Sequence, residues 1–499
     1  MMGNMYMSIA CYILFLAVLQ RALYRRFFHA LHVYPGPLLA SCTNIWKLYH
    51  YLQGNLHIIE QNLHLQYGPI VRTGPNTLSF STPEAFEAIY GFNHGFEKGD
   101  FYVSARDPAT GTSNIFSART HTEHRDRRRR IVGAAFSPSN IRSLSLIVAK
   151  HVQSLISQLS TASETAKNNT ISIVDPIHAF TFNSMVEIIY GPSISSQPWT
   201  ETPSGEGILP VFRAISKFSW GPSHVPFLGW LMSTPPMIKM IRKPTFNAAG
   251  IPNGVTALIS RARHLLSTEP ELVTGVDQQS IAKSMLTLGE GDSRYMELED
   301  VQRECVNLLF AGPGSTAAAV TGVLERLGSK EGLIWQERLR EELHQVKDVG
   351  ESKVLTAVVR ESMRYSAPFP TAFPREVRAG AERAIPGVKS PLPIGTIVGS
   401  NSWIVSHDKK VWGKDAEIWK PERWLEAHVN SDKKSLEDNF VVFSKGSRGC
   451  IGKDIALMIV TRSVASVVSR WRIETVGSMN GNAWLEMQIE RCDLKFTKL

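Results

Sequence analysis

The sequence predicts a mainly α protein with a small β portion, an α+β layout. Three observations lead there. Long helical patterns fill most of the chain up to about residue 365. From Arg375 onward, short strand-like pieces alternate with turns, as in Gly395 to Val398 and Phe440 to Phe443. Across 499 residues of 43% hydrophobic content, no Pro/Gly/Ser linker, internal repeat or low-complexity tract cuts the chain. Length alone would allow roughly three domains, but this continuity favours one large domain. The stretches 161–170 and 191–206 read as surface loops on it.

The first element is an apolar run, Met5 to Leu19, broken only by Ser8. At about 1.5 Å per residue it falls short of a hydrocarbon core of about 30 Å. Arg21, Arg25 and Arg26 follow, interleaved with Leu23, Tyr24, Phe27 and Phe28. Their long stems extend the span by snorkelling. No Lys or Arg precedes the run, which places the rest of the chain in the cytosol. A cleaved secretory signal is the rival, but the basic n-region and small-residue cleavage site are not clear. Residues 1–30 are therefore read as a membrane anchor and 31–499 as the body. Tyr34-Pro35-Gly36-Pro37 ends the anchor in a stiff turn.

Ile70-Val-Arg72 and Thr77-Leu-Ser-Phe80 flank Gly74-Pro75-Asn76, which predicts a hairpin. Ser117 to Phe136 predicts a helix carrying His124 and Arg128 on one face. Its run Arg125-Asp-Arg-Arg-Arg-Arg130 is the sharpest basic cluster in a chain of net charge +9. Ile131-Val-Gly-Ala-Ala-Phe136 follows directly, so this is a helix entering a core. No nucleic-acid role is read from it, and a basic surface facing an acidic protein partner suits it better. Arg125, Arg127 and Arg130 are read as a solvated face. The five cysteines are odd in number and widely spaced, without a CxxC pair. That excludes a disulfide framework and fits a reducing compartment.

Glu297 to Gly328 reads as one long helix, interrupted by Ala311-Gly312-Pro313-Gly314-Ser315-Thr316. Proline inside a helix costs about 3 kcal/mol, and adjacent glycines add to it, so a kink is expected. Ser315 can satisfy a backbone carbonyl there. Val354 to Tyr365 is helical and carries Glu361 and Arg364 three apart on one face. Glu337 and Arg340 have the same spacing. That pair reads as an exposed one of little worth.

The most informative stretch is Phe443-Ser-Lys-Gly446-Ser-Arg448-Gly-Cys450-Ile-Gly452, followed by an apolar helical run from Asp454 to Trp471. A helix N-terminus and nearby positive charge lower a cysteine pKa, which suits a thiolate held beside a metal. The glycines let the backbone approach something large and flat. Phe, Gly, Arg, Cys and Gly at these spacings arise by chance with a probability on the order of 10⁻⁴. A buried structural Cys in a turn before a helix is the plain alternative.

This loop resembles the haem-binding loop of cytochromes P-450, where the cysteine is the proximal ligand to haem iron. The resemblance extends over nearly the whole chain. It takes in Leu63-His-x-x-Tyr67-Gly-Pro69, the Glu361-to-Arg364 helix, Pro374-Arg375, Trp419-Lys-Pro-Glu-Arg-Trp-Leu425 and the Pro-rich hinge after the anchor, in a style similar to fungal microsomal members. It implies the cytochrome P-450 fold with an N-terminal membrane anchor helix and a haem b cofactor. Cys450 is then the iron ligand. His124, Arg128 and Arg375 fall at propionate-binding positions, and Ala311, Phe443, Gly446, Arg448 and Gly452 line the haem. Glu361, Arg364 and Arg423 form a buried ion network that holds the cysteine loop.

The implied activity is haem-thiolate monooxygenation of a lipophilic small molecule, in secondary metabolism by style alone. Electrons come from NADPH through a flavin-containing reductase, docked on a basic face near Lys445 and Arg448. The implied location is the endoplasmic reticulum membrane, with the catalytic domain in the cytosol. Pocket candidates are Phe310, Ala311, Pro370 to Phe373 and the loop near Phe101 to Phe116. Val225 to Met232 and Pro235 to Ile241 read either as a membrane-facing roof or as ordinary core. One departure stands out. Where the family usually carries an acid–alcohol pair for proton delivery, this chain has Gly314 and Ser315. Ser315 and Thr316 remain as candidate catalytic groups that can hold water. Gly314 keeps open a haem-thiolate isomerase, dehydratase or peroxide-using enzyme. The segment Leu327 to Val354, short for the family, keeps open an inactive haem-binding protein.

Overall fold

The computed structural model describes residues 2–92, 95–107, 110–192, 213, 215–232, 234, 236–237, 260, 263–268, 270–275, 279–426 and 433–499. Residues 193–206 of the expected loop and most of Pro235 to Ile241 lie outside the described residues. The chain begins with α1 (Met2–Leu23), continued by a π-helical turn, Tyr24–Phe28. The apolar span is thus Met5–Phe28, 24 residues with mean hydropathy 1.6 and none of it buried. At about 1.5 Å per residue it exceeds the ~30 Å that Met5 to Leu19 alone falls short of, and it is compatible with a membrane anchor. Its base is clamped to the body: Arg25 donates to the Cys42 carbonyl at 2.6 Å, and Arg72 donates to the Arg25 carbonyl at 2.8 Å.

The body is built on α2 (His121–Ala135), α3 (Ser145–Thr165), α4 (Val174–Tyr190), α5 (Leu298–Ala311), α6 (Pro313–Gly328), α7 (Lys353–Tyr365) and α8 (Lys453–Val468). The main core lies where α4 and α8 pack on α6 and α3 packs on α4 and α8, with Ile147, Ile189, Val320, Val323 and Val464 fully buried. Together α5 and α6 are also long and apolar enough to cross a membrane, but two thirds of that span is buried in the body. The expected kink falls at Gly312, between the two helices. Pro313 has no N–H to continue the ladder there.

Two sheets flank the helices. The larger has strand order β1 (Ile70–Gly74), β2 (Thr77–Phe80), β6 (Ile397–Ser400), β5 (Arg375–Val377), β3 (Phe96–Glu97). The predicted hairpin is β1–β2, with Val71 opposite Ser79; β2 pairs parallel to β6, with Leu78 opposite Val398. The smaller sheet has order β4 (Thr170–Ser172), β8 (Glu486–Lys498), β7 (Trp471–Trp484). The β7–β8 hairpin turns on one residue: Trp484 faces Glu486, and Leu485 between them has φ 61°.

Three local expectations change. Phe440 to Phe443 is not a strand; Val441–Phe443 is a 3-10 turn. Ser444, at φ 58°, then diverts the chain into the cysteine loop, so no strand partner is reached. The 161–170 loop is the end of α3, held by the buried Ser163, followed by a turn and the start of β4. The run after Cys450 stops being helical at Val468, and Trp471 opens β7.

Candidate active site

The Cys450 loop is a closed turn. The Cys450 amide donates to the Phe443 carbonyl at 2.9 Å, and the Gly449 amide to the Gly446 carbonyl at 3.1 Å. Gly446 has φ +66°, and a side chain on it would strike the Tyr90 carbonyl and lie 2.6 Å from that of Gly91. Glycine is needed here both for conformation and for contact. Gly452 ends the loop, and its carbonyl accepts from Ala456 at 2.9 Å in the first turn of α8. Although the Cys450 side chain is solvent-accessible, protein surrounds it, so it faces an interior slot. Burial pushes its thiol up, while the Gly452 amide and Arg128 pull it down. Gly452 and Arg128 act in the direction expected from the sequence, against the desolvation of the metal-free thiol. A bound metal cation would supply the missing charge.

Behind the loop, Glu361 is completely buried. Arg364 donates to its two carboxylate oxygens at 2.9 and 2.8 Å, and Arg423 Nε to Oε1 at 3.0 Å. The Lys420 amide and Trp424 Nε1 complete its shell at 2.9 and 3.0 Å. Burial alone would raise the Glu361 pKa, but Arg364 and Arg423 hold it below the usual value. Arg364 also donates to the Ser406 and Ala416 carbonyls, at 2.6 and 2.7 Å, tying three segments together. By contrast, Glu337 is exposed, and Arg340 turns to the Val468 carbonyl at 3.3 Å.

Beside the slot, cations converge. Arg448 donates to the Ala118 and Arg119 carbonyls at 3.0 and 2.8 Å, and its buried Nε has no partner among the described residues. Arg375 donates to Tyr102 Oη at 2.6 Å, and Arg128 to the Gly449 carbonyl at 3.0 Å. Lys98 is fully enclosed. It donates to the Phe116 carbonyl at 2.6 Å and lies over the Tyr102 and Phe116 rings, 5.0 and 5.1 Å from their centroids. Desolvation and the neighbouring Arg448 and Arg375 push it well below its ordinary value. Among the described residues none of these four cations is paired with a carboxylate. His124 is buried here, and desolvation together with Lys98, Arg448, Arg128 and Arg375 takes its pKa down to about 2. It is therefore a neutral imidazole at neutral pH.

The residues expected to face the cofactor from the other side lie at the junction of α5 and α6. Ala311 is exposed at the end of an otherwise largely buried helix. Ser315 Oγ donates to the Ala311 carbonyl at 3.0 Å, and Thr316 is buried. An aromatic cluster lies nearby in the fold. Phe116 sits 5.9 Å from Phe373 and 5.6 Å from Trp220, and Phe101 sits 5.3 Å from Trp220.

The cytochrome P450 family model matches residues 35–484. The chain belongs to the cytochrome P450 family. It is similar to cytochrome P450 monooxygenase cicH of Emericella nidulans, 30% identical over 464 residues, covering 88% of this chain and 87% of that protein. It is 27% identical over 497 residues to cytochrome P450 monooxygenase mfmA of Annulohypoxylon moriforme, 93% of this chain and 92% of that protein. Against cytochrome P450 monooxygenase mpaDE of Penicillium roqueforti it is 27% identical over 476 residues, 91% of this chain but 54% of that protein. The chain thus spans about half the length of mpaDE.

Membership in the P450 family makes haem the cofactor, and the residues present fit it. A cysteine sulfur opens into an interior slot below glycines that leave it clear. Beside the slot, Lys98, Arg128, Arg375 and Arg448 gather without a carboxylate partner among the described residues, and the buried Arg448 Nε is unpaired there, which suits anionic propionates. Tyr102, in the loop expected to line the pocket, belongs to this group, and so does Lys98, which escaped the sequence reading. Lys98 stands in Phe96-Glu-Lys-Gly-Asp-Phe-Tyr-Val103 between two acidic residues, where an ordinary surface lysine looks the same. Arg448 is turned inward, onto the Ala118 and Arg119 carbonyls. One further expectation is corrected. Arg127 is not solvated; it pairs with Glu304 of α5 at 3.1 Å.

Proposed function

We propose that this P450 is a haem-thiolate monooxygenase that inserts one oxygen atom of O2 into a C–H or C=C bond of a lipophilic small molecule of fungal secondary metabolism. NADPH supplies the electrons through a flavin-containing reductase. Residues 1–30 tether the enzyme to the endoplasmic reticulum membrane, with residues 31–499 as the catalytic domain in the cytosol. Haem supplies the activation of O2, which its thiolate ligand promotes by donating electron density. The chain does the rest. Cys450 Sγ ligates the iron, and Ala311, Phe443, Gly446 and Gly452 shape the slot. Lys98, His124, Arg128, Arg375 and Arg448 hold the propionates. Glu361, Arg364 and Arg423 fix the frame behind the loop. The aromatic cluster of Phe101, Phe116, Trp220 and Phe373 favours an apolar substrate. Phe227 and Trp230, each 63% exposed, form a surface suited to lipid contact on the access side.

The observation that carries this reading is the Cys450 thiol facing an interior slot flanked by cations that lack a carboxylate partner. The test is the carbon monoxide difference spectrum of the reduced protein. The red-shifted band of a thiolate haem is expected in the wild type and absent in Cys450→Ser. A wild-type protein that binds no haem would overturn the reading.

A second reading, a haem-thiolate isomerase, dehydratase or peroxide user, draws on Gly314 and on the commitment of the Ser315 proton to the Ala311 carbonyl. Product formed without NADPH or O2 would select it.

A further inference from the structure

Gly314 leaves a gap in the wall of α6, and that gap is filled. A side chain built on Gly314 would overlap the Glu486 carboxylate, with Cδ 2.8 Å and Oε2 2.9 Å away. Glu486 comes from β8, more than 170 residues later in the chain. Its backbone is placed by the β7–β8 tip: the Leu485 carbonyl accepts from Thr371 Oγ1 at 2.7 Å, and the Met487 amide donates to the Pro368 carbonyl at 2.8 Å. Leu485 at φ 61° occupies a left-handed conformation that a non-glycine residue adopts at a cost, and such strain collects at working sites.

Glu486 also differs from other buried carboxylates. Glu187, Glu304 and Glu361 each pair with a cation, as do Glu60, Asp107 and Glu325. Glu486 has no cation partner among the described residues. Among the described residues, its carboxylate accepts a single hydrogen bond, from Gln488 Nε2, 2.6 Å from Oε1. The titratable neighbour facing it is Tyr51, whose hydroxyl is spent on the Ser216 carbonyl at 2.5 Å.

We propose that Glu486 is the proton-delivering acid of this enzyme, supplied from the β7–β8 tip to the place that Gly314 vacates on α6. The inference rests on the monooxygenase reading. That reaction converts RH, O2, NADPH and H⁺ into ROH, NADP⁺ and H₂O, so protons must enter a closed pocket. The Glu486 carboxyl gives up its proton toward the pocket and regains one from solvent, ending each turnover unchanged. Desolvation pushes its pKa up to about 8, so it carries that proton at neutral pH.

The test uses the full-length holoenzyme with reductase and the isosteric Glu486→Gln. Product per NADPH should fall roughly tenfold or more, with hydrogen peroxide rising in its place, while haem content and the substrate dissociation constant hold. Glu486→Asp should fall between the two. The double variant Gly314→Asp/Glu486→Ala, which empties the space beside Gly314 and puts the carboxyl back on α6, should recover coupling. An independent readout needs no turnover: the infrared C=O band of a protonated carboxyl in the ferric protein should titrate near pH 8 and vanish in Glu486→Gln. Unchanged coupling in Glu486→Gln overturns the proposal, as does a band titrating near pH 8 that survives the substitution. So does a loss explained wholly by weaker substrate binding, which would make Glu486 a substrate anchor. If instead the wild type forms no product from NADPH and O2, the monooxygenase reading fails, while the infrared titration still decides whether Glu486 holds the proton.

Discussion

Two buried glutamates sit in different walls of the protein, and their environments are opposite. Glu361, behind the cysteine loop, is met by Arg364, Arg423, a backbone amide and an indole N–H. Glu486, against α6, is met by one amide side chain. Both are removed from water, yet one is held ionised and the other is held protonated near neutral pH. Burial by itself therefore says nothing about role. The paired carboxylate is scaffolding, because its charge is spent on holding three segments together. The unpaired one keeps a proton it can release.

The largest effect expected is at the first wall. Arg364→Ala removes one partner of a fully buried pair and leaves Glu361 uncompensated, at a cost of about 3–5 kcal/mol. Calorimetry should show that loss along with poor haem retention; a variant within about 1 kcal/mol of wild type would make the network dispensable. Next is Gly446→Ala, which combines a left-handed backbone with a collision against the Tyr90 and Gly91 carbonyls. A loss of roughly 1–3 kcal/mol is expected, with the thiolate-haem band weakened; an unchanged melting temperature would mean that the loop relaxes.

The pH dependence of stability separates the two glutamates directly. Glu361 has a depressed pKa, so its contribution is present above its ordinary value of 4.5 and is lost as the pH falls. Glu486 has the opposite sign. Its folded pKa of about 8 lies above the ordinary 4.5, so stability is full below 4.5 and declines as the pH rises toward 8. Glu486→Gln should remove that decline, gaining on wild type in melting temperature between pH 5 and pH 8.5. A gap between the two proteins that does not change with pH would break the comparison.

The smallest effect is Ser315→Ala. Its hydroxyl is bonded back to the Ala311 carbonyl, so about 1 kcal/mol or less is at stake. Coupling of NADPH to product should drop less than in Glu486→Gln. A larger drop would return the relay to Ser315.

The first wall was largely legible before any coordinates. Cys450, Arg448 and three glycines lie within ten residues, and Glu361 and Arg364 are three apart on one helix. Local chemistry carries such signals. The second wall was legible only as a defect. Gly314 marked something absent, but nothing in the chain near Glu486 marks it as the filler. The long β7–β8 hairpin that carries it was not anticipated beyond a general β portion. Lys98 was missed for the same reason, since a lysine gives no local sign that it will be fully enclosed.

By itself, then, the amino-acid sequence determined the family, the cysteine loop, the break in the long helix and the apolar span at the start of the chain. These follow from short-range rules: backbone freedom at glycine, the missing N–H of proline, and side chains a turn apart. Only the tertiary structure decided which charges stand unpaired. Lys98, Arg375, Arg448 and His124 share one site because a sheet, a helix and a loop meet there. Glu486 faces Gly314 because a hairpin tip reaches across to a helix. Desolvation depends on everything packed around a group, and that is set by contacts between residues hundreds of positions apart.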